Sequence, residues 1–168
     1  MLGIALVMVG IILRFLPHIP NVAPVVAIAL FSGCYLNKRY SVLVPFILMV
    51  ISDIFIGMHN VVFFTWGSVL LIAILGVWLK KHKNIFSVPA TSVLSSVLFF
   101  IITNFGVWLM GWYSHDGNGL VTCYVAALPF LKISMLGDLL YVAAFFGSYE
   151  LIARKIRSTK LSRVLLTN

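Results

Sequence analysis

The sequence predicts an all-α membrane protein, folded as a six-helix transmembrane bundle. Of its 168 residues, 62% are hydrophobic and only 10% are charged, whereas a soluble domain carries about 25% charged residues. Six apolar segments follow one another, separated by polar or proline-containing breaks. Ten of the twelve Lys and Arg residues follow even-numbered segments, which places them on one side of the membrane if every segment crosses it.

The lengths of the six segments suit a single transmembrane domain, residues 1–152, followed by a basic tail, residues 153–168. A membrane-crossing helix needs about 20 apolar residues. The first segment lacks the basic start of a signal peptide, so we predict that it is a retained span. The second is short for a bilayer and is expected to be tilted or partly embedded. The predicted spans cover approximately residues 1–16, 22–36, 41–58, 61–79, 86–112 and 130–152.

The stretch "LVTCYVAALP", residues 120–129, lies between the fifth and sixth spans. It is too short to cross the membrane and ends at Pro129, and proline tends to stop or kink a helix. We predict a short extra helix on the outer side, before the last span. The alternative is one long kinked helix from Leu120 onward.

The basic residues also predict the orientation. Two follow the second segment, three follow the fourth and five follow the sixth, whereas the opposite loops, "PHIPN", "MHN" and "WYSHDGNG", contain no Lys or Arg. The positive-inside rule makes the basic side cytoplasmic, with both termini inside. The net charge of +8 therefore indicates topology, and the tail is expected to contact anionic lipid rather than nucleic acid.

Strongly polar side chains within the apolar segments cluster at one depth. Charged groups in a bilayer cost about 2.5–3.5 kcal/mol, so they are expected to face the bundle interior and to be paired. Lys132 and Asp138 lie about 120° apart on one helix and should each reach another helix, where Asp53 and Arg14 are available. Counting 1.5 Å per residue places the following side chains in the outer half of the bilayer: Arg14, Asp53, Trp66, Asn104, Lys132 and Asp138.

This one-sided depth predicts an outward-facing pocket for a small polar solute. Asn104 and Trp108 share one helical face, which suits hydrogen bonding to a ligand and stacking on it. The alternative is that the polar cluster is structural and holds the helices in register. The residues predicted to line the pocket are Arg14, Asp53, Asn104, Trp108, Lys132 and Asp138.

The segment "RFLPHIPNVAP" joins the first two spans on the outer side. Its prolines make a stiff, non-helical connection. We predict that it covers the pocket as a lid through His18 and Asn21; the alternative is a rigid turn with no further role. His18 has no second ligand at metal-binding spacing, so no metal site is predicted. Ala23 and Ala27, four residues apart, permit close helix approach, either within the bundle or at a docking face for a partner.

No catalytic constellation is recognisable in the sequence. Ser52 beside Asp53 lacks a positioned histidine, and there is neither a zinc-protease motif nor a glycine-rich phosphate loop. We therefore expect no enzymatic activity and no cofactor. An enzyme acting on lipid is the least favoured class, because His59, His115 and Asp116 lie near headgroup depth without recognisable spacing. Without an ATP-binding motif, active uptake would need a separate energising membrane subunit or an ion gradient.

The runs "RFLPHIPNVAPVVAIALFSGCYL", "SDIFIG", "TNFGVWLMGW", "CYVAALPF" and "GDLLY" resemble an uncharacterised family of small bacterial integral membrane proteins. That family is distantly similar to the substrate-binding S-components of energy-coupling-factor vitamin transporters. The resemblance implies an S-component-like bundle in the bacterial inner membrane, with both termini inside and an outward pocket. S-components often carry an alanine-x-x-x-alanine pattern for docking in the first span; here Ala23 and Ala27 open the second.

Two functions therefore compete. The favoured one is a transporter, or the solute-capturing component of one, for a vitamin-like or other small metabolite. The other is a membrane scaffold or assembly protein that does not transport.

Overall fold

The computed structural model describes residues 1–16, 21–37 and 39–159, and these residues form six α-helices. The helices follow the six predicted segments in order and confirm the all-helical fold. Their bounds are α1 Leu2–Phe15, α2 Val25–Tyr35, α3 Tyr40–Ile56, α4 Val62–His82, α5 Ser87–Leu109 and α6 Gly117–Ile156. The predicted lid residue His18 and most of the basic tail lie outside the described residues.

Three of these helices, α4, α5 and α6, are long and apolar enough to cross a membrane. The other three are also apolar but shorter, with 14, 11 and 17 residues in α1, α2 and α3. The protein is accordingly a membrane protein by the length and composition of its helices. The crossing of the bilayer by all six helices stays a prediction.

The short helix α2 forms the centre of the bundle, with ten of its eleven residues buried. It packs most extensively on α4, where two glycines bring the backbones together. A Cβ atom added to Gly33 would lie 2.7 Å from the Cα atom of Gly76, so neither position leaves room for a larger side chain. Because its neighbours surround α2, it needs no polar face.

The predicted short extra helix before the last span is not a separate element. Residues 120–129 belong to α6, which continues through Pro129 for 40 residues. Proline removes one backbone donor, and an apolar helix tolerates this where neighbouring groups compensate. At about 1.5 Å per residue α6 is about 60 Å long, twice the roughly 30 Å of a hydrocarbon core. One helix thus connects the loop after α5 to the opposite end of the bundle.

Two contacts show that α5 and α6 run antiparallel. Ser96 of α5 bonds Asp138 of α6, while Lys83, just before α5, pairs with Glu150 near the end of α6. We call the end that carries Lys80, Lys81 and Lys83 the basic end. The opposite end, which carries Asn21 and the loop after α5, is the distal end.

Candidate functional site

A cavity of about 390 Å³ lies at the distal end of the bundle. The start of α4, the distal half of α5, the middle of α6 and the residue Asn21 before α2 form its walls. Its lining combines one carboxylate, two amides, a histidine and several hydroxyls with aromatic rings. The lining residues are Asn21, His59, Val61, Thr65, Ser96, Phe99, Phe100, Thr103, Asn104, Val107, Ala127, Phe130, Leu131, Ser134 and Asp138.

Asp138 is the acidic group of this cavity. It is only 6% exposed, and its Oδ2 accepts a hydrogen bond of 2.7 Å from the Ser96 hydroxyl. No described residue donates a hydrogen bond to its other oxygen, Oδ1. An acidic group in this position retains acceptor capacity for a ligand.

The amide of Asn104 lines the cavity from α5. Its Nδ2 donates to the Phe100 carbonyl at 2.8 Å, which leaves the side-chain oxygen as an acceptor. The first turns of α6 are tied to the same stretch of α5, because the Tyr124 hydroxyl donates to the Ile101 carbonyl at 2.7 Å. The Cys123 thiol also contacts the Asn104 carbonyl, at 3.4 Å. These bonds hold one wall of the cavity in place.

The mouth of the cavity is formed in part by Asn21, one of the two predicted lid residues. Asn21 is exposed and has a left-handed backbone with φ of 65°, a conformation that asparagine tolerates better than most residues. The next residue, Val22, packs on α6 so closely that a Cβ atom on Gly137 would lie 2.8 Å from it. The chain before α2 is therefore pressed against the helix at the level of Asp138.

The other predicted carboxylate, Asp53, lies in a separate buried cluster. Arg14 donates to its Oδ1 and Trp66 Nε1 donates to its Oδ2 at 2.8 Å, and the same arginine also contacts the Met49 sulfur. Asp53 is 1% exposed. The sequence suggested that Arg14 and Asp53 would serve Asp138 and Lys132; in the structure they pair with each other, because α1 packs directly on α3.

Two further predicted residues do not line the cavity. Trp108 Nε1 donates to the Ser114 carbonyl at 2.9 Å, and its ring packs against Phe105 and His115. Lys132 is exposed on α6. Of the six predicted pocket residues, the structure brings Asn104 and Asp138 together in this cavity, with Asn21 beside them.

The alanine pair lies at the start of α2. Ala27 is fully buried, and Ala23 is half-buried in the segment just before the helix. Ala27 therefore packs within the bundle, and a docking role for the pair stays a prediction.

A second cavity, of about 530 Å³, lies at the basic end. Lys83 and Glu150 form an ion pair there, and the Tyr35 hydroxyl donates to Glu150 at 2.8 Å while accepting from Lys83 at 3.0 Å. Val88 of α5 and Phe146 of α6 supply apolar walls. Both cavities are thus bounded by α5 and α6, at opposite ends.

Comparison with known proteins gives one match. A family model described as a family of unknown function, DUF6580, matches residues 1–161. The chain belongs to this family. Neither a curated protein nor a solved structure matches the chain. For this member of DUF6580, the residues of the chain itself therefore supply the indications of function.

The sequence-based prediction depended on charged and strongly polar side chains, so it missed several of the residues that line the cavity. Ser96 is the most consequential, since it holds Asp138. A signal for it exists: Ser92, Ser95 and Ser96 recur at three- and four-residue spacing within an apolar helix, which puts them on one face. Small hydroxyls on one face of a membrane helix indicate a polar surface turned away from lipid.

Proposed function

We propose that the protein binds a small solute carrying a cationic or amine group in the distal cavity. The single observation that carries this proposal is Asp138, a buried carboxylate with a partner on one oxygen only, in the lining of a cavity of about 390 Å³. Intramembrane ionisable groups mark binding sites or pathways by default. A volume of this size suits a metabolite, since ligand pockets range over about 300–1,000 Å³.

The chemistry of the lining favours a positively charged ligand. No lysine or arginine within the described ranges lines the cavity, and no described cation forms an ion pair with Asp138. Three phenylalanine rings, Phe99, Phe100 and Phe130, offer faces for a cation or for a flat apolar body. The Asn104 side-chain oxygen is an acceptor for a ligand N–H group.

The orientation of the cavity follows from the distribution of charge. If the basic end faces the cytoplasm, as the positive-inside rule requires, the distal cavity opens outward and both termini lie inside. A site of that kind in the bacterial inner membrane captures solute from outside. The protein would then act as a transporter, or as the capturing component beside an energising membrane subunit. The similarity to S-components depends on the predicted topology, and the match to DUF6580 provides no link to them.

The test is solute binding to purified protein in detergent or nanodiscs. A panel of small amines and nucleobase-like cations is screened by thermal shift, and a hit is titrated. Asp138→Asn keeps the shape and the bond from Ser96 but removes the charge. We expect it to weaken binding by about tenfold to hundredfold, the range for a hydrogen bond to a charged group.

Asp116→Asn is the matched control, because Asp116 is an exposed carboxylate at the same end that does not line the cavity. It should bind the solute as the unaltered protein does. The proposal fails if no member of the panel raises the melting temperature, or if Asp138→Asn binds as tightly as the control.

A structural role for the polar residues has one specific observation in its favour, the Arg14, Asp53 and Trp66 cluster. Both oxygens of Asp53 have partners there, and this cluster lies outside the distal cavity. A scaffold function would extend that role to Asp138. It predicts that Asp138→Asn impairs folding and leaves every uptake phenotype unchanged.

A further inference from the structure

The two cavities lie on one line, along the contact between α5 and α6. Ser96 and Asp138 line the distal cavity, while Val88, Phe146 and Glu150 line the basic one. On α6 the two linings come closest at Asp138 and Ala143, which are five positions apart, about 7.5 Å along the helix. On α5 they come closest at Ser96 and Pro89, which are seven positions apart, about 10.5 Å along the helix. Only a thin layer of protein therefore divides them.

The faces that meet across this layer are continuous with the cavity walls. On α6, Val142 lies one turn beyond Asp138 and one turn before Phe146, so the three share a face. On α5, Ser92 lies one turn after Val88 and one turn before Ser96, so these three residues also share a face. Val142 is 2% exposed and Ser92 is fully buried. We call the layer formed by Ser92, Ser95 and Val142 the septum.

The hydroxyls of the septum differ from the others on α5. Thr91 and Thr103 donate to the carbonyl one turn earlier, as hydroxyls in helices often do, and Ser96 donates to Asp138. Ser92 Oγ and Ser95 Oγ are buried and have no hydrogen-bond partner among the described residues. Such groups are rare and call for a specific explanation. Here they lie between two cavities with polar linings.

We propose that the α5–α6 contact is the route through the protein and that the septum is its closed gate. This inference rests on the proposed function and extends it from capture of a solute to its passage. Opening the septum would join the distal cavity to the basic-end cavity. The hydroxyls of Ser92 and Ser95 would then serve a passing polar solute as hydrogen-bonding groups, one turn below Asp138.

Cysteine accessibility tests the route. In a background of Cys34→Ala and Cys123→Ala, single cysteines are placed by Val142→Cys and by the nearly isosteric Ser92→Cys. Oriented proteoliposomes are exposed on either face to a charged, membrane-impermeant methanethiosulfonate. Val69→Cys is the matched control, since Val69 is a valine of α4 that is 1% exposed and is not part of the α5–α6 contact.

We expect both septum cysteines to react at least about tenfold faster than the control, because opening of the α5–α6 contact would expose them and would leave Val69 buried. Rates equal to that of Val69→Cys from both faces would overturn the route. The same preparations are tested for amine binding by thermal shift. Binding without septum reactivity refutes the route and leaves the proposed function standing; reactivity without binding refutes the proposed solute class and leaves the route standing.

Discussion

The two buried aspartates, Asp53 and Asp138, lie in regions that are packed very differently. Asp53 sits among α1, α3 and α4, where an arginine and a tryptophan occupy both of its oxygens. Asp138 sits between α5 and α6, where Ser96 is its one hydrogen-bond partner among the described residues and a cavity adjoins it. Burial is nearly the same, at 1% and 6% exposure. The two carboxylates differ in their number of partners. Asp53 has a partner on each oxygen and serves the fold, whereas Asp138 has an oxygen available to a ligand.

The helices around the two acids show the same contrast. In the most apolar window of α4, 44% of the residues are buried, compared with 22% in α5 and 17% in α6. α4 contacts α2 backbone to backbone, whereas α5 and α6 border both cavities. We infer that the α1–α4 side is the rigid part of the bundle and the α5–α6 side the part with room for a ligand. Four predictions test this comparison.

The largest effect is expected from Arg14→Met. Among the described residues, it leaves the buried Asp53 carboxylate with Trp66 as its remaining partner. Breaking a buried ion pair by removing one partner typically lowers the free energy of unfolding by about 3–5 kcal/mol. Reversible unfolding in mixed micelles measures the loss.

The control for this change is the double variant Arg14→Met with Asp53→Leu, which removes both charges and should recover most of the lost stability. A loss of less than 1 kcal/mol in the single variant would place Asp53 in the same class as Asp138 and remove the contrast between the two regions.

Gly33→Ala comes next, and it tests the close approach of α2 and α4. The added methyl group would meet the Ala73 carbonyl and lie 2.7 Å from the Gly76 Cα atom, so backbones must move apart. Overpacking of this kind costs about 1–3 kcal/mol, and backbone neighbours put the expected loss near 3 kcal/mol. The same unfolding assay measures it.

Gly147→Ala on α6 is the matched variant, because outside its own stretch of helix no described atom lies within 4 Å of the added Cβ. It should be neutral or slightly stabilising, by up to about 1 kcal/mol. Equal losses in the two variants would show that the α5–α6 side is as tightly packed as the α2–α4 side.

Much of this organisation could be predicted from the sequence because it depends on local composition. Apolar segments located all six helices, and the similar predicted depth of Asn104 and Asp138 agrees with their lining of one cavity. The partner of Asp53 could not be predicted, since several helix arrangements allow Arg14 or Lys132 to reach it. Pro129 was misleading for a related reason: a proline predicts a helix end locally, and only the surrounding structure permits α6 to continue.

Ser96→Ala should have a smaller effect on stability and a clear effect on the site. It removes the only described hydrogen bond to Asp138. Loss of a hydrogen bond to a charged group costs about 1.5–3 kcal/mol in stability. If the carboxylate then turns away from its position, the affinity for an amine also falls, by about tenfold.

Ser134→Ala is the control for that experiment, because Ser134 also lines the cavity but bonds the Phe130 carbonyl of its own helix. It should leave affinity and stability nearly unchanged. Equal binding losses in both variants would mean that the cavity hydroxyls act alike and that Ser96 has no special role in holding Asp138.

The smallest effect is expected at the start of α6, where Asp116 caps the helix. Its carboxylate accepts from the Gly119 backbone N–H at 2.7 Å and from the Ser114 hydroxyl at 2.9 Å. These bonds, the backbone one first, lower the pKa of Asp116 below its ordinary value of 3.8. A lowered folded-state pKa adds stability that is complete above the ordinary pKa and is lost as pH falls through the folded value.

Asp116→Ala should therefore lower the protection factor of the Gly119 amide against hydrogen exchange near neutral pH, and acidification below about pH 4 should lower the same protection factor in the unaltered protein. Asp116→Asn keeps a capping oxygen, so at neutral pH the Gly119 amide should exchange as it does in the unaltered protein. Because α6 carries Asp138 some 20 residues further on, fraying confined to its first turns would leave amine binding intact. Loss of binding in Asp116→Ala would instead show that the whole length of α6 moves as one unit. The position of Asp138 would then depend on the cap at the distal end of the helix.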